Sequence, residues 1–272
     1  MKIYLAEAGS LFRIISKGGE CINIFLVPNT QILDKEGNIN PAAVFRNANI
    51  LQSFYYCDKF TEQVIIPNAQ DFMLDSGAFT FMQGKNIERV NWNEYIERCA
   101  DFINRNKVKK FFELDIDNVV GYEQVKRYRI LLERMTGQQC IPVWHSSRGK
   151  EEWLKLCDEY EYVAIGGIVS KEIKPNQYPI FTKLIAEAHK REAKVHGLGF
   201  TSVSEIKKYH FDSVDSSSWS GGNRFGMLYK FTGKDIIKLK KKDGTRIADH
   251  QKLALHNFNE WVKFSRYAEV KL

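Results

Sequence analysis

From residue 70 onward the chain alternates between short apolar runs and longer runs with helical spacing. That alternation limits the fold more than any other feature of the sequence. FMLDSG (72–77), FFELDID (111–117), CIPVWH (140–145), YVAIGG (162–167), KVHGLGF (194–200) and HFDSVDSSSW (210–219) read as strands. Between them lie NWNEYIERCADFINR, YEQVKRYRILLERM, KEEWLKLCDEY, PIFTKLIAEAHKRE and the short SVSEIKKY, all helix-like. In the first of these Trp92, Tyr95, Ile96, Cys99, Phe102 and Ile103 recur at helical spacing, with Asn91 and Glu94 placed as a capping box. Strands that alternate with helices imply a parallel sheet covered by helices. The expected fold is a single α/β domain over 1–272, a (β/α)8 TIM barrel whose strand C-termini form the functional face. A doubly wound open sheet competes with it, but neither GxGxxG nor GxxxxGK[ST] is present. IYLAE, INIFLVPN and ILQSFYYC in the first 70 residues read as further strands or hairpin pieces.

On that barrel Asp75, Asp115, Asp117, His145, Gly166, Gly167, His196 and Asp215 all fall at strand C-termini. Several have two readings. Asp75 of LDSGAF either caps a turn or carries chemistry. Glu113, Asp115 and Asp117 alternate, so they share one strand face. There they repel unless they protonate, bind a cation or hydrogen-bond to a ligand. The double glycine of AIGGIV is either a tight turn or a place where a flat ligand meets backbone amides. His196 and His145 are either core histidines or site residues. Asp212 and Asp215 point to opposite sides if their strand continues, so one is structural and the other functional. Two carboxylates distant in the chain, such as Asp75 and Asp215, suit general acid/base and nucleophile roles at a sugar carbon. The residues alone leave the acting pair open.

Charge adds a second constraint. The chain carries a net charge of +7, and residues 223–272, with 12 Lys/Arg against 5 Asp/Glu, account for all of it. KLKKKDGTR (238–246) is the densest part, read either as a solvated loop or as a phosphate-contacting patch. Five scattered cysteines, Cys21, Cys57, Cys99, Cys140 and Cys157, fit free thiols in a reducing compartment better than a disulfide framework. MKIYLAEAGS lacks a long apolar core, and no apolar run approaches 18 residues, so neither a cleaved leader nor a membrane span is expected.

Taken together, five motifs in order resemble the guanine transglycosylase family, enzymes that exchange guanine for a 7-deazaguanine in nucleic acid. DSGAFT (75–80) resembles the family's DSGGF/YQ segment, and LDID its FDE-type acidic strand end, with Asp115 the best match. GGIVSKE (166–172) resembles GGLAVGE, GLGFTS (197–202) resembles LMGVGTP, and DSVDS resembles DMFDC, whose second Asp is the nucleophile. LALHNF (253–258) is similar to the family's terminal HN helix. The resemblance covers roughly residues 70–260.

It implies a (β/α)8 barrel with Asp215 as nucleophile and Asp75 as general acid/base. Phe79 and Leu198 would sandwich the base beside Ser76 and Gly199. Asp115, with Asp117 next to it, would read its N1/N2 edge. Gly166, Gly167 and Ile168 would offer backbone, and His145 would stand where the family uses a glutamine. In tRNA-acting members the His of the HN pair binds zinc with three upstream cysteines. No cysteine follows Cys157, so neither metal nor cofactor is expected. The arginine-bearing segment after the nucleophile has become SSSWSGGNR, with the serines and Trp219 as candidate sugar-phosphate lining and Asp212 as structural partner. These departures resemble the compact, phage-associated members that insert bases such as preQ0 into DNA. The implied partners are DNA, or tRNA, and a 7-deazaguanine base, with phosphates held by Arg224, Lys238, Lys240, Lys241, Lys242 and Arg246. The implied location is the cytoplasm (a host's, if phage-encoded), and a homodimer is among the assemblies allowed. A tRNA-acting enzyme, a nucleoside or glycoside hydrolase and a non-catalytic nucleic-acid-binding subunit are the alternatives.

Overall fold

The computed structural model describes residues 1–6, 40–82, 90–200, 202–220, 227–239 and 250–272. Seven strands pair in parallel: β1 (Lys2–Ala6), β2 (Asn49–Ser53), β3 (Asp71–Asp75), β4 (Val143–Trp144), β5 (Tyr162–Ile165), β6 (Lys194–Gly197) and β7 (Ser213–Ser216). Their order in the sheet is β3-β2-β1-β7-β6-β5-β4. IYLAE therefore lies largely in β1. ILQSFYYC supplies most of β2 and then a 3-10 turn over Phe54–Tyr56. INIFLVPN lies outside the described residues.

The described α-helices of four or more residues are α1 (Pro41–Phe45), α2 (Ala78–Met82), α3 (Trp92–Asn106), α4 (Asp117–Val120), α5 (Tyr122–Thr136), α6 (Gly149–Glu159), α7 (Ile180–His189), α8 (Val203–Ile206) and α9 (His250–Lys271). Helix α3 forms where its periodicity predicts. Asn91 caps it by accepting the Glu94 N–H at 3.3 Å, and the predicted stripe from Trp92 to Ile103 is buried. Helix α5 stops at Gly137, which takes the left-handed conformation with φ 66° and so closes the last turn. No helix among the described residues is long and apolar enough to cross a membrane.

Strand alternation sorts the core into two layers. Ile3, Leu5, Ile50, Val163, Ile165, Val195 and Val214 face outward into one cluster with Trp153 of α6, Phe181 of α7 and Phe258 and Trp261 of α9. Tyr4, Ala6, Leu51, Met73, Phe112, Ile141, Val143 and Ala164 face the other way and meet each other. Residues from both ends of the sheet touch in this second cluster, so the sheet is curled around it.

Among the described residues the regular parallel ladder has seven strands, one fewer than the expected eight, so they form a curled sheet and not a closed eight-stranded barrel. Residues 111–112 lie beside the ladder's ends and make only isolated parallel bridges, Leu74 with Phe111 and Phe112 with Ile141. The anticipated strand over 111–117 thus ends at Phe112, and its alternation of faces stops there. Glu113 is the physical reason. Its carboxylate, not a main-chain carbonyl, accepts the Val143 N–H at 2.8 Å, so a side chain takes over a backbone ladder position.

Helix α9 lies against the outer side of β1, where Ser265 Oγ donates to the Ile3 carbonyl at 2.8 Å. An antiparallel hairpin, β8 (Leu228–Phe231) and β9 (Ile236–Leu239), docks on the same helix. Asn257 Oδ1 accepts the Tyr229 N–H, its amide donates to the Met227 carbonyl, and His256 bonds the Tyr229 carbonyl at 2.8 Å. The HN pair therefore pins a hairpin by its backbone.

Candidate active site

Asp75 ends β3 and Asp215 lies in β7, both on the strand positions that face the interior. After Asp75 the chain turns sharply at Gly77, with φ +82°, and the Gly77 N–H donates to Asp75 Oδ2 at 2.9 Å. A Cβ on Gly77 would lie 2.9 Å from the Tyr55 Cβ, so glycine is required twice over. Tyr95 of α3 donates to the Ser76 carbonyl at 2.7 Å and holds the turn from behind. The buried Ser76 hydroxyl finds no partner among the described residues. Burial pushes the Asp75 carboxyl up to about 6, the Gly77 N–H opposes the rise, and the charges of Asp215 and Asp115 add to it.

Asp215 is held differently. Its Oδ1 accepts the Gly199 N–H at 2.5 Å and faces His196 Nε2 at 3.2 Å, with the residue 7% exposed. Gly199 reaches it through a backbone with φ +71°, and a Cβ there would meet Val169 Cγ2 at 2.2 Å. Leu198 is half-buried against the inner cluster beside it. Two carboxylates thus share one interior, one protonatable near neutrality and one bound by two nitrogens. That arrangement suits acid/base work paired with nucleophilic attack.

A second cluster adjoins them. His145 lies between two carboxylates, with Nε2 2.8 Å from Asp115 and Nδ1 2.9 Å from Glu172. Burial alone would lower its pKa, but the bonds and charges of Asp115 and Glu172 outweigh this and raise it to about 9. Burial likewise disfavours the charged Glu172, yet bonds from Ser146, His145 and the Ser147 N–H bring it down to about 2. His145 is therefore an imidazolium at neutral pH. Gly166 and Gly167 explain how it fits. A Cβ on Gly166 would meet Val143 and His145 within 2.9 Å, and one on Gly167, with φ +77°, would meet Glu172 at 2.9 Å. The double glycine leaves room for these two side chains. The Gly166 N–H is already donated to the Trp144 carbonyl, and Ile168 belongs to the apolar core.

Arg148, which the sequence reading passed over, gathers all three alternating acids. Its guanidinium contacts Glu113 at 3.3 Å, Asp115 at 3.1 Å and Asp117 at 2.9 Å, donates to the Val143 carbonyl, and stacks 4.1 Å over the Tyr122 ring. Arg129 of α5 meets the other Glu113 oxygen at 3.1 Å. Repulsion among the acids predicts a cation here, and a side chain supplies it. Asp115, Asp117 and His145 also have metal-ligand spacing, but a guanidinium already stands between the two carboxylates. Each Asp115 oxygen carries one protein donor and keeps a further lone pair for a ligand.

Other anticipated residues lie apart. Asp212 precedes β7 and accepts the Val195 N–H at 2.7 Å and His189 Nε2 at 2.9 Å, ties between elements that fit its expected structural part. Trp219 does not line a sugar-phosphate site. It is fully buried, donates to the Ala6 carbonyl at 2.8 Å and packs on Phe258, because its indole is a large apolar body with one donor to satisfy. Lys238 is exposed on β9. Of Phe79 only the backbone, within α2, is described, and Arg224, Lys240, Lys241, Lys242 and Arg246 lie outside the described residues. Burial pushes the Cys99 and Cys157 thiols up to about 12, which removes both as thiolate nucleophiles at neutral pH. Searches against protein-family models and against curated proteins return no match to this chain.

Proposed function

We propose that the protein is a pentosyltransferase that exchanges guanine in DNA for a 7-deazaguanine such as preQ0, working on a (β/α)8 frame. The observation that carries the reading is the unequal pair of interior carboxylates: Asp75 with its pKa raised to about 6, and Asp215 bound by Gly199 and His196. The target nucleotide leaves the stack, because its glycosidic carbon is out of reach in a duplex. Asp215 attacks C1′, the C1′–N9 bond breaks, and protonated Asp75 gives its proton to the departing guanine. A covalent sugar–Asp215 ester results. Asp75, now ionised, removes the N9 proton of the incoming base, which attacks C1′ and releases Asp215.

The Ser76 hydroxyl beside Asp75, which has no partner among the described residues, gives a ligand atom something to satisfy. Phe79 and Leu198 sandwich the base. The spare lone pairs of Asp115 face its N1/N2 edge, with Asp117 held alongside by Arg148, and His145, whose two N–H groups go to Asp115 and Glu172, keeps Asp115 in place. The basic C-terminal segment holds the phosphates, and its composition favours a polyanion.

Incubation with labelled guanine and either single-stranded DNA, duplex DNA or tRNA tests this. Label entering DNA is expected, and Asp215→Ala abolishes it in a folded protein. Label entering tRNA alone moves the substrate, base release without incorporation makes the protein a hydrolase, and persistence of exchange in Asp215→Ala overturns the nucleophile.

A further inference from the structure

Behind Asp215 runs a chain of polar groups, buried except for the half-buried Tyr162 at its far end, for which the steps above have no use. His196 is fully buried, with Tyr4 and Phe112 edge-on to its ring at centroid distances of 6.1 and 5.2 Å. Its Nε2 lies 3.2 Å from Asp215 Oδ1 and its Nδ1 lies 2.5 Å from Ser213 Oγ. Ser213 Oγ is in turn 2.5 Å from the Tyr162 hydroxyl. Four residues on three adjacent strands thus form one line: Tyr162 on β5, His196 on β6, Ser213 and Asp215 on β7. Backbone register places the last three side by side, since His196 pairs directly with Ser213 and Asp215 lies two residues further on the same face.

We infer that His196, oriented by Ser213 and Tyr162, is a positioning residue that fixes one oxygen of Asp215 and leaves the other turned to the sugar. With Asp215 ionised, as a nucleophile must be, and the His196 ring neutral, the hydrogen bonds have one self-consistent direction. The carboxylate only accepts, so His196 donates its Nε2–H. A neutral imidazole then accepts at Nδ1, so Ser213 donates its hydroxyl there and accepts from the Tyr162 hydroxyl. Gly199 N–H binds the same oxygen, Oδ1. Two donors on one oxygen lock the carboxylate plane and leave Oδ2 as the attacking atom. Attack from a fixed oxygen needs no reorientation within the interior, and that is the part of the barrier this chain removes.

The role rests on the base-exchange reading, so its test has one arm that does not. Long-range proton–nitrogen correlation spectra of the imidazoles, with the His196 signals assigned by loss in His196→Phe, report the tautomer directly. The Nε2–H form is expected in the wild type, with the ring nitrogen shifts altered by Ser213→Ala. A proton on Nδ1 in the neutral ring overturns the inference whether or not the protein exchanges bases. In the kinetic arm, His196→Phe keeps the aromatic packing and loses the bond. It is expected to lower kcat about 10- to 100-fold, the size of one hydrogen bond to a charged group, with KM for the nucleic acid unchanged. His196→Gln, whose amide can donate to Asp215, is expected to recover part of that loss. Tyr162→Phe is expected to give a smaller loss than Ser213→Ala, being one bond further away. Wild-type kcat in a folded His196→Phe overturns the inference. An inactive wild type with the expected tautomer overturns the function and leaves the chain of bonds standing.

Discussion

Arg148 and Asp115 meet at 3.1 Å in the interior, and the same guanidinium reaches Glu113 and Asp117. Arg148 is 4% exposed and Glu113 not at all, so removal of the cation strands buried negative charge. Arg148→Met is expected to destabilise the protein by about 3–5 kcal/mol, read as a lowered urea midpoint. Arg148→Lys keeps the charge but loses the planar fork that spans three carboxylates, and is expected to fall between. Equal stability of Arg148→Met and the wild type would show that the guanidinium contributes no net stability to the cluster.

Stability is expected to vary with pH in two separate windows. Asp75 has its pKa raised from 3.8 to about 6, so the native state holds a proton that the unfolded chain has lost between those values. Stability therefore falls as pH rises through that window. Asp75→Asn removes the charge and is expected to exceed the wild type by about 1–3 kcal/mol above pH 6, the gap closing toward pH 4. For His145 the raised value of about 9, against 6.5, contributes stability present below pH 6.5 and lost as pH rises through 9. Denaturation midpoints across pH 4–10 for the wild type, Asp75→Asn and His145→Gln check both signs.

Gly199→Ala should harm the site more than the fold. A left-handed backbone costs an L-residue about 1–2 kcal/mol, and the new Cβ would press on Val169. Either adjustment moves the amide that holds Asp215. Base exchange is expected to fall well beyond what the shift in thermal midpoint explains. Adding Val169→Ala relieves the clash but not the φ, so only part of the activity returns.

At the C-terminal helix, Asn257→Ala leaves the buried Tyr229 N–H and the Met227 carbonyl without their partner. A loss of about 1–3 kcal/mol is expected, together with faster amide exchange in β8. His256→Ala removes one bond to the Tyr229 carbonyl and should cost less.

The parallel α/β architecture was legible from residue order alone, because strand and helix periodicities are local and each short apolar run ends in polar or glycine residues. The same reading placed Asp75 and Asp215 at strand C-termini, and the curl of the sheet then turned both toward the interior. Where a side chain replaces a backbone group, local pattern fails. Glu113 takes a ladder position from a carbonyl, so ELDID does not continue as a strand and the regular ladder stops at seven. Trp219 was misread as lining for the same kind of reason, since only packing against Phe258 and the Ala6 carbonyl distinguishes a buried indole from an exposed one. The sequence by itself determined which acids stand at the carboxyl ends of the strands. The tertiary structure alone decided their charge states and partners: Arg148 across three acids, the imidazolium of His145 between two, and His196 behind Asp215. Those depend on burial and on contacts between residues far apart in the chain, which no local spacing encodes.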